Sequence, residues 1–149
     1  MKKKSFQLGL IVCSTVFISI AFLGLTQQQE PWRPDQLKNP AELAATIVDS
    51  TANQPVIISV GPGGIIPHSI EVGPTSDPAN LKTFETRLME LPKDSEVVIY
   101  CGCCPFHKCP NIRPAFKALN AMGFKHHKLL NLPENIKADW INHGYPVSE

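Results

Sequence analysis

Residues 97–116 read VVIYCGCCPFHKCPNIRPAF, and this stretch decides the fold. It begins as a short β-branched run with no polar break, the pattern of a strand buried on both faces of a parallel sheet. It ends in an apolar helical pattern that continues to Met122 and is stopped by Gly123, a glycine suited to the left-handed cap of a helix. Between the two lie four of the chain's five cysteines, Cys101, Cys103, Cys104 and Cys109, within nine positions.

A second buried-strand pattern, VIISV, runs from Val56 to Val60 between Pro55 and Gly61, about 40 residues earlier. A helix is expected from Pro40, with Asn39 as its cap and Leu43, Ile47 and Val48 on one face. Leu81, Phe84, Leu88 and Leu91 share one side of another helix. A third strand is expected near Lys128 to Leu132 and a short helix from Ile136 to Asn142. Strands alternating with helices predict an α/β domain with a central parallel sheet flanked by helices on both faces.

The first 25 residues differ in composition. Met1-Lys2-Lys3-Lys4 leads into an apolar run from Phe6 to Leu25, which reads as an apolar helix serving as a signal peptide or an N-terminal membrane anchor. The lysines stay on the cytoplasmic side, which sends the rest of the chain across the membrane into a periplasmic or other extracytoplasmic space. Cys13 is read as an apolar filler of this segment. Residues 26–34, polar and rich in proline, read as a linker, and residues 35–149 as one domain with a single core.

A net charge of +1 excludes nucleic acid as the main partner, because phosphate binding needs a basic surplus. The cysteines are too crowded for a disulfide framework, whose bridges must close long loops. Crowding points to chemistry or to metal.

Cys101 falls where parallel α/β sheets place reacting groups, beyond the carboxyl end of a strand and before a helix N-terminus. Main-chain amides and the helix dipole stabilise an anion there, and His107, Lys108 and Arg113 lie in the same loop to favour a thiolate or a persulfide. The other thiols allow three readings. Cys101, Cys103 and Cys104 could converge on Cu(I) or zinc with His107 or Cys109 completing the set, copper being favoured because zinc usually takes two separated knuckles. They could resolve an oxidised Cys101 by thiol exchange, or Cys104 and Cys109 could bridge and stiffen the loop. A cysteine phosphatase is rejected, since its arginine would be needed at position 107, which is His. His126 and His127 adjoin on a strand, face opposite ways and are expected in solvent. Trp140 and Tyr145 are expected to pack under the last helix.

The order of Tyr100-Cys101, loop, Arg113, helix, Met122-Gly123-Phe124, strand, Trp140 and Gly144-Tyr145-Pro146 resembles the rhodanese-like sulfurtransferases. The stretch VIISVGPGGIIPHSIEVGP is similar to the family's first-strand motif, and the resemblance spans Asp35 to Val147. It implies a single rhodanese-like domain in which Cys101 carries a persulfide and Gly102 to Arg113 form the active-site loop, with Gly102, Cys103, Cys104, His107, Lys108 and Cys109 in it. Arg113 would hold the incoming anion or neutralise the loop. The implied partners are a small sulfur donor and a thiol or other thiophilic acceptor, with no organic cofactor. The chain departs from the family pattern in four places. Twelve positions separate Cys101 from Arg113, where the family's loop is shorter; Ser59-Val60-Gly61 replaces an Asp-x-Arg strand end; the histidine is displaced, as Ile66-Pro67-His68; and Glu134-Asn135 replaces a glycine pair. An inactive scaffold and a non-enzymatic copper-binding module stay open as alternatives.

Overall fold

The structure is a computed structural model and describes residues 30–149. The apolar run and Cys13 lie outside the described residues. Among the described residues, no helix is long and apolar enough to cross a membrane.

Five parallel strands form one sheet: β1 (Leu37–Lys38), β2 (Val56–Ser59), β3 (Ile70–Glu71), β4 (Glu96–Tyr100) and β5 (His126–Leu130). Their spatial order is β1-β5-β4-β2-β3. The two unbroken apolar runs of the sequence are the central pair, β2 and β4, in register from Val56 opposite Val97 to Ser59 opposite Tyr100. Val97, Val98, Ile99 and Tyr100 are all buried, which explains why neither run alternates with polar residues.

Four helices cover both faces: α1 (Pro40–Val48), α2 (Pro78–Met89), α3 (Ile112–Ala121) and α4 (Ile136–Asp139). Phe84 and Leu88 of α2 and Ile112, Ala115, Phe116 and Leu119 of α3 pack with Ile58, Val97, Ile99 and Leu129 on one face. Leu43 and Ala44 of α1 pack with Ile57, Val98, Tyr100, Leu130 and Trp140 on the other. Asn39 caps α1 by accepting the Ala41 amide at 2.8 Å, and Gly123 ends α3 with a φ of 77°. Trp140 is fully buried, and Tyr145 packs partly buried against it.

Several boundaries move. Helix α2 starts a turn before the expected Leu81 because Asp77 accepts the Ala79 amide at 2.8 Å. Strand β5 starts two residues early, at His126, and this overturns the expectation for the histidine pair. His126 is exposed, but His127 is buried under Phe116, its ring centroid 4.7 Å away. Its Nδ1 donates to the Phe124 carbonyl at 3.0 Å, and its Nε2 meets the carboxamides of Asn120 and Gln36.

The linker reading of residues 26–34 also fails over its described part. Trp32 is buried in the core, edge-on to Phe106 and Phe116 at 5.8 and 5.7 Å. The Pro31 carbonyl accepts from Asn120 and Glu30 pairs with Arg113. Its polar neighbours disguise the one large apolar side chain that fixes this stretch to α3.

Candidate functional site

The chain leaves β2 for β3 on one side of the sheet and leaves β4, by way of α3, for β5 on the other. The loops after the two central strands therefore diverge, and the crevice between them is where open α/β sheets bind ligands. Cys101 sits there, one residue past β4 and buried.

Gly61, on the facing loop, lies so close to the Cys101 sulfur that a Cβ there would collide with it. The same holds at Gly102, whose Cβ would meet the Ile136 side chain at 2.8 Å. At the end of β2, Ser59 turns its hydroxyl to the Gly63 carbonyl at 2.7 Å, and Gly61 makes room for a thiol.

The twelve-residue interval does not form a ring of amides around the sulfur, as the sequence had suggested. Pro105 and Pro110 have no N–H to offer. The Phe106 amide donates to the Leu132 carbonyl at 3.2 Å, and Lys108 and Cys109 donate to Pro105 and Phe106, closing a 3-10 turn over Phe106–Lys108. Of the described main-chain amides, that of Cys103 alone helps to lower Cys101, without a directed hydrogen bond to its sulfur.

Side chains supply the rest. The Sγ atoms of Cys101, Cys103, Cys104 and Cys109 all lie within 4.8 Å of one another, with 3.4 Å between Cys101 and Cys103 and 3.2 Å between Cys103 and Cys104. All four are free thiols, Cys101 and Cys109 buried, Cys104 half-buried and Cys103 exposed. Asn111, just before α3, directs its Nδ2 at the Cys101 sulfur from 3.5 Å. Its Oδ1 accepts the Ser76 amide at 3.1 Å, and its carbonyl accepts the Thr75 hydroxyl. An asparagine before a helix usually caps it; this one makes no side-chain cap and is turned inward instead.

These contacts set the charge. Cys101 is pulled down to about 5, first by the Cys109 thiol and then, against the cost of burial, by the Asn111 carboxamide and the amide and thiol of Cys103. Cys109 acts through proximity, since no directed hydrogen bond joins the two sulfurs, whereas Asn111 and Cys103 make directed contacts. The partners move the opposite way. Burial and the neighbouring thiols push Cys103 up to about 12, and the Cys101 thiolate holds the proton on Cys109 and raises it. One anion is therefore concentrated on Cys101.

The cations of the loop are placed otherwise than expected. His107 and Lys108 are exposed, and neither they nor Arg113 contributes to lowering Cys101. The Arg113 Nη2 is bound by both Glu30 carboxylate oxygens, at 2.7 and 2.8 Å, and by the His107 carbonyl at 2.8 Å. Its guanidinium lies 5.6 Å from the centroid of the Trp32 ring, and its buried Nε has no partner among the described residues. Arg113 thus ties the cysteine loop to the N-terminal segment.

Tyr100 secures the other side. Its hydroxyl accepts the Ile66 amide at 3.2 Å and meets the Ser69 hydroxyl at 3.1 Å, which fixes the loop after β2. The Gly102 carbonyl accepts the Ile136 amide at 3.0 Å, docking α4 on the loop. An open cleft of about 240 Å³ lies elsewhere, beside Asn39, Pro40, Asn131 and His143, and includes none of the cysteines.

No model of a known protein family matches the chain, and no curated protein matches it. Among solved structures, a crystal structure of the single-domain sulfurtransferase RDL2 from Saccharomyces cerevisiae is similar, with a TM-score of 0.51 at 16% identity. The match covers 80% of this chain and 94% of that one. The parallel sheet with helices on both faces agrees with that likeness, and the chain has a rhodanese-like fold.

Proposed function

We propose that this chain is a sulfurtransferase in which Cys101 carries a sulfane sulfur as a persulfide. The observation that carries the proposal is the Cys101 sulfur itself, held in the crevice beyond the central strands with Asn111 and Cys103 as directed donors. In the first half-reaction the Cys101 thiolate attacks the outer sulfur of a donor such as thiosulfate. The donor S–S bond breaks, sulfite leaves with the bonding pair, and Cys101–S–S⁻ remains. In the second, a thiophilic acceptor such as cyanide attacks the outer sulfur, thiocyanate leaves, and the Cys101 thiolate returns. Fixed N–H and S–H donors favour an anionic sulfur in each state without reorganising.

The apolar run with its leading lysines would carry the domain across the membrane. Fractionation of cells making the full chain tests this; recovery wholly in the cytosol would exclude it.

Transfer itself is tested by incubating the reduced chain with several sulfane donors and measuring cyanolysable sulfur. One equivalent, absent from Cys101→Ser, is expected. No bound sulfur with any donor would overturn the proposal.

A second fate of the same intermediate is favoured by the 3.4 Å separation of Cys101 and Cys103. The Cys103 thiol attacks the inner sulfur of the protonated Cys101 persulfide, giving a Cys101–Cys103 disulfide and releasing hydrogen sulfide, so two thiols are oxidised as the sulfane sulfur is reduced. One sulfide released per chain without added reductant, and none from Cys103→Ser, would support this route; sulfide from both would exclude it.

A further inference from the structure

The transfer of one sulfur atom needs one thiol, and the crevice holds four. Sulfur ligands at about 2.3 Å around a tetrahedral ion stand about 3.8 Å apart. Here the separations run from 3.2 Å to at most 4.8 Å, which brackets that spacing for all four atoms. A chain that placed four thiols in one short loop for packing alone would have no reason to aim every sulfur at one point.

The surroundings suit thiolates. Asn111 Nδ2 donates to the Cys101 sulfur at 3.5 Å, and its own Oδ1 is held by the Ser76 amide. Such outer donors orient metal-bound thiolates and spread their charge. Among the described residues, the atoms that converge there are four sulfurs, with no histidine or carboxylate in the group, which selects soft ions over hard ones. Cys101 and Cys109 form a buried floor, and exposed Cys103 leaves a way in from solvent.

We propose that Cys101, Cys103, Cys104 and Cys109 bind one closed-shell thiophilic ion, Cu(I) or Zn(II). Zinc would take all four sulfurs; copper would take three or four. Binding occupies the sulfur that the transfer reaction uses, so the ion-loaded chain accepts no sulfane sulfur. This second half rests on the sulfurtransferase reading.

The test uses the reduced full-length chain, titrated separately with Zn(II) and with Cu(I) against a competing chelator. Native mass spectrometry reads the stoichiometry and X-ray absorption reads the ligands. One ion per chain in a sulfur-only shell is expected for at least one metal, with affinity lowered at least tenfold in both Cys103→Ser and Cys104→Ser. Those two positions are not fully buried, and circular dichroism checks that both variants fold. Loss of both ions to the chelator overturns the site, as does undiminished binding by the two folded variants. Cyanolysable sulfur measured on the metal-free and loaded chains separates the two proposals. Sulfur uptake without ion binding removes the metal site and leaves the transferase; ion binding without uptake by the metal-free chain does the reverse. Equal uptake by both forms removes the silencing.

Discussion

The Asn111 carboxamide nitrogen stands 3.5 Å from the Cys101 sulfur while the oxygen of the same group accepts the Ser76 amide at 3.1 Å. The Ser76 amide can only donate, so it fixes which end of Asn111 faces the thiol. Asn111→Asp keeps the acceptor for Ser76 and puts a second carboxylate oxygen, a poor partner for an anion, against the sulfur. A hydrogen bond to a charged group contributes about 1.5–3 kcal/mol, so the midpoint for Cys101 ionisation should rise by about 1 to 2 pH units. Titration of thiolate ultraviolet absorbance checks this. An unchanged midpoint would remove Asn111 from the site.

Ionisation of the native, metal-free chain follows from the same contacts. With Cys101 lowered to about 5, Cys103 raised to about 12 and Cys109 raised as well, the thiolate signal at neutral pH should vanish in Cys101→Ser and should fade in the native chain as pH drops through about 5.

Stability should follow pH in the same direction for two groups. A lowered Cys101 contributes stability fully present above the ordinary thiol range, and this is lost as pH falls toward about 5. His127, lowered by burial and then by Arg33 and Lys128, stays neutral in the fold; below about 6.5 the unfolded chain takes up the proton first. Denaturation midpoints should decline from about pH 8 to 5, below the range in which the raised Cys103 and Cys109 act in the opposite sense, and less steeply at the acid end in His127→Gln. A midpoint that rises on acidification across this range would contradict both assignments.

Gly61 faces the thiol without a side chain, and a Cβ there collides with the sulfur. Gly61→Ala should cost about 1–3 kcal/mol, the usual cost of overpacking, and should lower sulfur uptake at least tenfold by displacing Cys101. Chemical denaturation and cyanolysis measure the two effects on one sample.

Trp32 anchors the N-terminal segment against Phe106, Phe116 and the Arg113 guanidinium. Trp32→Ala should destabilise the domain by about 3 kcal/mol, and the loss should appear as a lower urea midpoint. A change below about 0.5 kcal/mol would mean that this stretch is the linker its composition suggests.

What was legible in the sequence was local. The runs VIISV and EVVIY carry the pattern of buried strands in their β-branched residues, and Asn39 and Gly123 mark helix ends by chemistry that acts within a few residues. Strands β1 and β3, two residues each, carry no pattern of their own and pair because β5 and β2 offer open edges. Position and crowding revealed Cys101 and its neighbours. Asn111 stayed hidden because its signal is a cap that it does not make, and its partner Ser76 lies 35 residues away. Arg113 showed the opposite limit: the motif marks its place, but only folding shows Glu30, 83 residues distant, on its guanidinium.

The central claim is a persulfide on Cys101, and intact-protein and peptide mass spectrometry after incubation with thiosulfate tests it most directly. The account predicts a chain heavier by one sulfur atom, with the added mass on the peptide carrying Cys101 and lost on treatment with cyanide. A chain of unaltered mass, or added sulfur that persists in Cys101→Ser, would contradict it.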